Sequence, residues 1–200
     1  MKKKILLGLL CCILIVAGIL GGALAASAAE AKTITDNMDA IQQQLVAEEI
    51  SLEQYTQSVR SLNQVLESKK LEEVYATVTY DQAIPVEEAY RMADEQSVQL
   101  ERLEIRFYQG DEPFTAYIRN LGEEETMAQV ARIAQENEFS FSGVISTNIT
   151  LPSQKLSSLE AQSGVYCVDA SADNYLEDRS ATQPERRETF RKSLAWELGN

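Results

Sequence analysis

The sequence predicts an α+β fold: a ferredoxin-like βαββαβ antiparallel sheet with an inserted strand and helix, preceded by a membrane segment and a helical stalk. Three observations lead to it: an uncharged apolar run near the N-terminus, a heptad pattern after it, and strand patterns alternating with helical ones from about residue 72. The chain accordingly divides into a signal peptide or membrane anchor at 1–29, a stalk at 30–71, a globular domain at 72–172 and a polar tail at 173–200.

The N-terminal segment is expected to enter a membrane. Residues 5–29 carry no charge and follow three lysines at positions 2–4. A basic flank keeps its own side in the cytosol and about 20 apolar residues cross a bilayer, so the rest of the chain is expected outside the cytoplasm. The small residues at 26–28 suit a signal peptidase, whereas the apolar run exceeds the roughly 7 to 15 residues of a signal core. We favour an anchor in the cell membrane; cleavage near Ala28 would release a secreted protein.

The predicted stalk is a helical stretch with a heptad seam. Such a seam becomes buried only against another helix, which gives two possibilities: a homodimer through residues 34–66, or two shorter helices folded back on each other. Ser51 followed by Gln54 is a capping-box pattern and favours a helix start near residues 48–51. The seam residues are Met38, Leu45, Leu52, Val59 and Leu66 on one set of positions, and Ile34, Ile41, Tyr55 and Leu62 on the other.

The first half of the domain alternates strand and helix. Every second residue is apolar at 74–80, which predicts a strand, and Pro85 then opens a helix through Gln96 with an i, i+3, i+4, i+7 stripe. Alternation at 103–107 predicts a second strand. The Gly110-Asp111 turn then returns the chain as a hairpin strand at 114–118.

The second half repeats the pattern. We predict a helix at 123–137, a long strand at 139–151, a helix from Pro152 that ends at Gly164, and a last strand at 165–170. The hairpin strand and the helix at 123–137 are the insertion into βαββαβ.

The long strand gives the firmest prediction about the core. Phe141, Ile145 and Ile149 follow one another at intervals of four residues and are expected to face the helices that carry Leu156 and Leu159. The opposite face, with Ser140, Ser142, Ser146 and Asn148, is expected to be solvated.

Composition excludes several chemistries. The chain has no histidine, which removes Ser-His-Asp and Cys-His catalysis and His-containing zinc sites. Cys167 is the only cysteine beyond the membrane segment and is interpreted as a buried strand residue. The run 169–173 alternates oxygen ligands like the start of a calcium loop, but Asn174 stands where the turn needs glycine. No catalytic, cofactor-binding or metal-binding residue is predicted, and no cofactor.

Charge bears on the partners. The formal net charge of −13 opposes nucleic acid, which we exclude as a partner. The tail contains Trp196, which is expected either in a terminal helix docked on the domain or as the anchor of a recognition segment.

One stretch resembles a known family. Phe141-Ser142-Gly143-Val144-Ile145, then Ser158-Leu159-Glu160-Ala161, then Gly164-Val165-Tyr166-Cys167-Val168-Asp169 resemble the second half of the subtilisin propeptide and peptidase inhibitor family over residues 141–169. The resemblance implies that the sheet face docks on a serine protease, with the tail after Asp169 along the active-site cleft. No protease follows in the chain, and the helix at 123–137 is foreign to the simplest family members.

The sequence thus predicts a non-enzymatic, extracytoplasmic, membrane-tethered protein-interaction domain of a bacterial envelope or surface protein. The alternative is a protease inhibitor or propeptide-like module that docks on a subtilisin-type protease. The expected partners are the membrane, through residues 5–29, and another protein.

Overall fold

The computed structural model describes residue 38, residues 40–171 and residue 196. The predicted membrane segment, the first part of the predicted stalk and nearly all of the predicted tail lie outside these residues. Within the described part of the chain, no helix is long and apolar enough to cross a bilayer.

The described chain is α+β, as predicted, with five antiparallel strands in the order β3-β2-β4-β1-β5. Residues 40–46 are helical. The elements that follow are α1 (Leu52–Lys69), β1 (Val74–Ile84), α2 (Val86–Gln96), β2 (Gln99–Gln109), β3 (Glu112–Arg119), α3 (Glu123–Asn137), β4 (Ser140–Leu151), a 3-10 turn (Ser153–Lys155), α4 (Leu156–Glu160) and β5 (Val165–Asp169).

The predicted third helix is shorter than expected. Instead of running from 152 to 164, it consists of the 3-10 turn and α4, and it ends at Glu160. Gly164 lies in the turn before β5 with a φ of +84°, a left-handed conformation that glycine adopts without strain. It therefore shapes the entry to β5 rather than the end of the helix.

The helix α1 begins at the predicted capping box. The Ser51 hydroxyl accepts a hydrogen bond from the Gln54 backbone N–H, and the Gln54 side chain accepts one from the Ser51 backbone N–H. Residues 47–50 form turns and bends, so the helical stretch is broken where the sequence indicated.

The packing of α1 differs from the stalk prediction. Val59, Leu62 and Leu66 are buried in the core of the domain. Over this stretch the seam therefore packs on the domain itself, a possibility that neither predicted alternative included. Tyr55 Oη donates to Asp169 Oδ2 (2.6 Å) and Asn63 Nδ2 donates to the Val168 carbonyl (2.7 Å), which ties α1 to β5. The homodimer through 34–66 stays a prediction, but Val59, Leu62 and Leu66 are not available to form its interface.

The helices α2 and α4 pack on one face of the sheet. Between them and the sheet is a cavity of about 10 Å³, near the minimum that holds one water molecule. Its lining includes Val78 and Ile149 from the sheet, Ala89 and Ala93 from α2, and Leu159 from α4. This face is therefore a closely packed apolar core.

Two irregularities in β4 interrupt the alternation of that strand. In the pairing with β2, Ser142 and Ile145 have no partner residue. Phe141 pairs with Phe107, Val144 with Ile105, and Ser146 with Glu104. A skipped residue exchanges the faces of those beyond it. The two skips therefore cancel for Phe141, which stays on the sheet face of Ile149, and only the residues at and between the skips depart from strict alternation.

Three predictions about exposure in β4 are wrong, although each of these residues lies on its predicted sheet face. Phe141 is 43% exposed rather than under the helices, because it pairs with Phe107 at the far end of the sheet. Ser146 and Asn148 are buried rather than solvated. Ile149 faces the helices, and Ser140 and Ser142 are exposed, as predicted.

Candidate interaction surface

The aromatic surface, as we name it, consists of Phe107, Phe114, Phe139 and Phe141. Phe107 of β2 lies directly opposite Phe114 of β3 on one side and Phe141 of β4 on the other, so the three side chains share a sheet face. Phe139, between α3 and β4, stacks on Phe114 with ring centroids 4.7 Å apart.

The rings hold one another in place. Phe107 contacts Phe141 edge to face at 5.9 Å and Phe139 at 6.1 Å, both within the range that favours aromatic pairs. Phe107 itself is buried, whereas Phe114 is 37% and Phe141 43% exposed. A fixed cluster with two half-exposed rings can bind apolar side chains of a partner without first being ordered.

The aromatic surface lies beside an open edge of the sheet. The outer side of β3 pairs with no other described strand, and only Ile118 of its eight residues is buried. The opposite edge, β5, is instead covered by α1 through the bonds from Tyr55 and Asn63. An uncovered edge strand offers backbone groups to an incoming chain. Pro113 lacks an N–H, which limits such pairing at the start of β3.

The other sheet face is polar and buried. Arg102 Nε donates to Asn148 Oδ1 (2.7 Å), and Asn148 Nδ2 donates to Thr77 Oγ1 (2.9 Å). Ser146 Oγ donates to Glu104 Oε2 (2.5 Å). These bonds link β2, β4 and β1 across the sheet. The inhibitor alternative, which docks a sheet face on a protease, stays a prediction that requires this face to become accessible.

Asp169, which begins the candidate calcium run, and Cys167 have structural roles, whereas residues 172–173 of that run lie outside the described residues. The two carboxylate oxygens of Asp169 accept from Tyr55 Oη and from the Ser171 backbone N–H (2.8 Å), so the candidate calcium run starts with a carboxylate that already has protein donors. Burial raises the pKa of the Cys167 thiol, which keeps it protonated and unreactive at neutral pH. Among the described residues, no group of three or more His, Cys, Asp or Glu side chains could hold a metal ion.

The aromatic surface was not predicted from the sequence, although part of its signal was present. The turn at Gly110-Asp111 places Gln109 opposite Glu112, and counting outward places Phe107 opposite Phe114. The remaining two rings depend on the skipped residues in β4, which no pattern indicated.

Comparisons with known proteins add no relative to this description. No family model matches the chain, and no curated protein and no solved structure matches it.

Proposed function

We propose that the protein is a non-enzymatic interaction domain, held on the extracytoplasmic side of a membrane by residues 5–29, which binds a partner protein through the aromatic surface. The observation that carries the proposal is the half-exposed pair Phe114 and Phe141 beside the open edge of β3. Aromatic side chains are enriched among the residues that contribute most to protein–protein binding.

The ferredoxin-like assignment locates this surface within the fold. With β3 left out, the strand order is β2-β4-β1-β5, which supports a βαββαβ domain carrying an insertion. The insertion consists of β3 and α3. It supplies Phe114 and leads directly into Phe139, so the elements added to the common fold build the proposed binding surface.

A partner bound here is expected to place apolar side chains against the rings and an extended segment along β3. Binding by strand addition uses main-chain hydrogen bonds for affinity and neighbouring side-chain sites for specificity. On the open edge of β3, the backbone after Pro113 can both donate and accept hydrogen bonds with such a segment.

The test is capture of partners from an envelope extract of the natural host, with the full chain in detergent as bait. Phe114→Ser and Phe141→Ser remove the rings separately. Val46→Ser is the matched control, since Val46 is 60% exposed and lies in the 40–46 helical segment, outside the aromatic surface.

We expect at least one protein to be recovered by the wild type and by Val46→Ser, and lost with both Phe variants. Urea unfolding of each variant shows whether the domain is still folded. Recovery of the same proteins by folded Phe114→Ser and Phe141→Ser baits would refute the aromatic surface as the binding site.

A further inference from the structure

The C-terminal end of the chain touches the domain at one described position. The indole Nε1 of Trp196 donates a hydrogen bond to the backbone carbonyl of Tyr80 in β1 at 3.0 Å, and Trp196 is partly buried. The sequence left two alternatives for this tryptophan: a docked terminal helix or the anchor of a segment that recognises a partner.

The receiving carbonyl lies where β1 is irregular. The β1–β4 pairing runs through Thr79 with Ser146 and resumes only at Ile84 with Val144, so residues 80–83 stand opposite the single residue Ile145. Bulges of this kind interrupt the ladder of strand hydrogen bonds. The Tyr80 carbonyl accepts the indole N–H at the start of this interruption.

The irregular segment has contacts on several sides. The Tyr80 ring is buried, and its hydroxyl lies 3.0 Å from Thr147 Oγ1. Asp81 N–H donates to the Gly164 carbonyl at 3.0 Å. A Cβ at Gly143 would come within 2.7 Å of the Ile84 carbonyl oxygen, so β4 lies close against the far end of the segment. The Tyr80 carbonyl thus lies in a backbone segment that has contacts both before and after the peptide group between Tyr80 and Asp81.

Tryptophan suits such a position because it combines one N–H donor with a large apolar ring. Tyr80 pairs with Val165 at the start of β5, and Ser171 follows the end of that strand. The distance along β5 from Val165, beside Tyr80, to Ser171 is therefore roughly 20 Å, at about 3.3 Å per strand residue. The 24 residues between Ser171 and Trp196 are more than long enough to cover it within one chain.

We propose that the irregular segment of β1 is a docking site for the C-terminal end of the same chain, with Trp196 as its anchor. The tryptophan is then held on the domain and is not presented to a partner. This proposal is independent of the aromatic surface, because it uses other residues and another part of the sheet.

The test uses the full chain in detergent, where Trp196 is the only tryptophan and therefore the only indole signal. Two properties are measured: acrylamide quenching of its fluorescence, and hydrogen exchange of its single indole N–H by NMR. We expect weaker quenching and at least tenfold slower exchange in the native protein than in urea, with both unchanged over a hundredfold dilution.

Three outcomes would overturn the proposal. Quenching and exchange equal to those of the unfolded chain would mean that Trp196 is not docked. Protection that disappears on dilution would mean that the segment docks on a second copy instead. Protection that appears only after envelope extract is added would make Trp196 the anchor of a segment for a partner.

A variant pair separates the ring from its donor. Trp196→Phe keeps an aromatic ring and loses the N–H, whereas Trp196→Ala loses both. If Trp196 is docked, thermal unfolding occurs at lower temperature in both variants, with the larger decrease in Trp196→Ala. Unchanged unfolding temperatures in both would contradict docking.

Discussion

Ser142 and Ser146 are two serines of β4 with opposite environments. The hydroxyl of Ser146 is buried and donates to Glu104 Oε2, whereas Ser142 is exposed at a skipped position of the ladder. Both serines have the same predicted environment, because alternation assigns a side chain to a sheet face and carries no information on which parts of that face are covered.

This difference can be measured by substitution. Ser146→Ala removes a buried hydrogen bond to a carboxylate and should lower the free energy of unfolding by about 1 to 3 kcal/mol. Ser142→Ala, the matched control, should change it by less than about 0.5 kcal/mol. Urea unfolding of both variants provides the comparison, and equal costs would show that the described environments are incorrect.

Tyr80 makes the stability of the domain depend on pH in the alkaline range. Burial raises its pKa from 10.0 to about 12, partly offset by the hydrogen bond with Thr147. The pKa of Tyr80 is therefore higher in the folded protein than in the unfolded chain. The contribution of the neutral phenol to the free energy of unfolding is complete below pH 10 and is lost as the pH rises toward 12.

Tyr80→Phe removes this titration. Between pH 10 and 12 the wild type should lose up to roughly 2 to 3 kcal/mol more stability than Tyr80→Phe. Unfolding curves of the two proteins across that range test it, since the other tyrosines contribute equally to both. Parallel decreases would contradict the buried phenol.

At the scale of elements, α1 shows how far a sequence pattern reaches. Heptad spacing correctly placed Tyr55, Val59, Leu62 and Leu66 on a buried face of a helix, and the capping box gave its start. The pattern could not specify what buries that face, because an apolar stripe fits a second helix or a sheet edge equally well. The observed cover of β5 depends on the bonds from Tyr55 and Asn63, whose partners lie over 100 residues away in the chain.

Because α1 belongs to the core, its buried face should matter for the stability of the whole domain. Val59→Ala should cost about 1 to 3 kcal/mol of unfolding free energy, and Gln57→Ala, on the exposed side, less than about 0.5 kcal/mol. Thermal unfolding followed by circular dichroism distinguishes them. If Val59→Ala left the unfolding temperature unchanged, α1 would be an independent stalk as first predicted.

At the scale of the whole molecule, the fold class and most element positions follow from periodicity, because strands and helices of this length differ clearly in spacing. The burial of the polar face does not follow from it, and neither does the aromatic surface, which depends on register between strands distant in sequence. The surface proposed to bind a partner is therefore visible only once β2, β3 and β4 are aligned.

The predicted membrane segment leads to a prediction about the whole chain. The uncharged run at 5–29 with its lysine flank should keep the protein in the membrane fraction after carbonate extraction. A soluble exported protein whose N-terminus lies at Ala29 would contradict the anchor. In that case, replacing Ala28 with a bulky residue should block the cut.

The central claim, that the aromatic surface binds another protein, is tested most directly by photo-cross-linking in the natural host. A photoreactive phenylalanine is placed at Phe141 in the full chain and, as a control, at Arg132 on the exposed side of α3. We predict an adduct with a different protein from position 141 and none from position 132. Absence of an adduct at 141, or the same adduct from both positions, would contradict the claim.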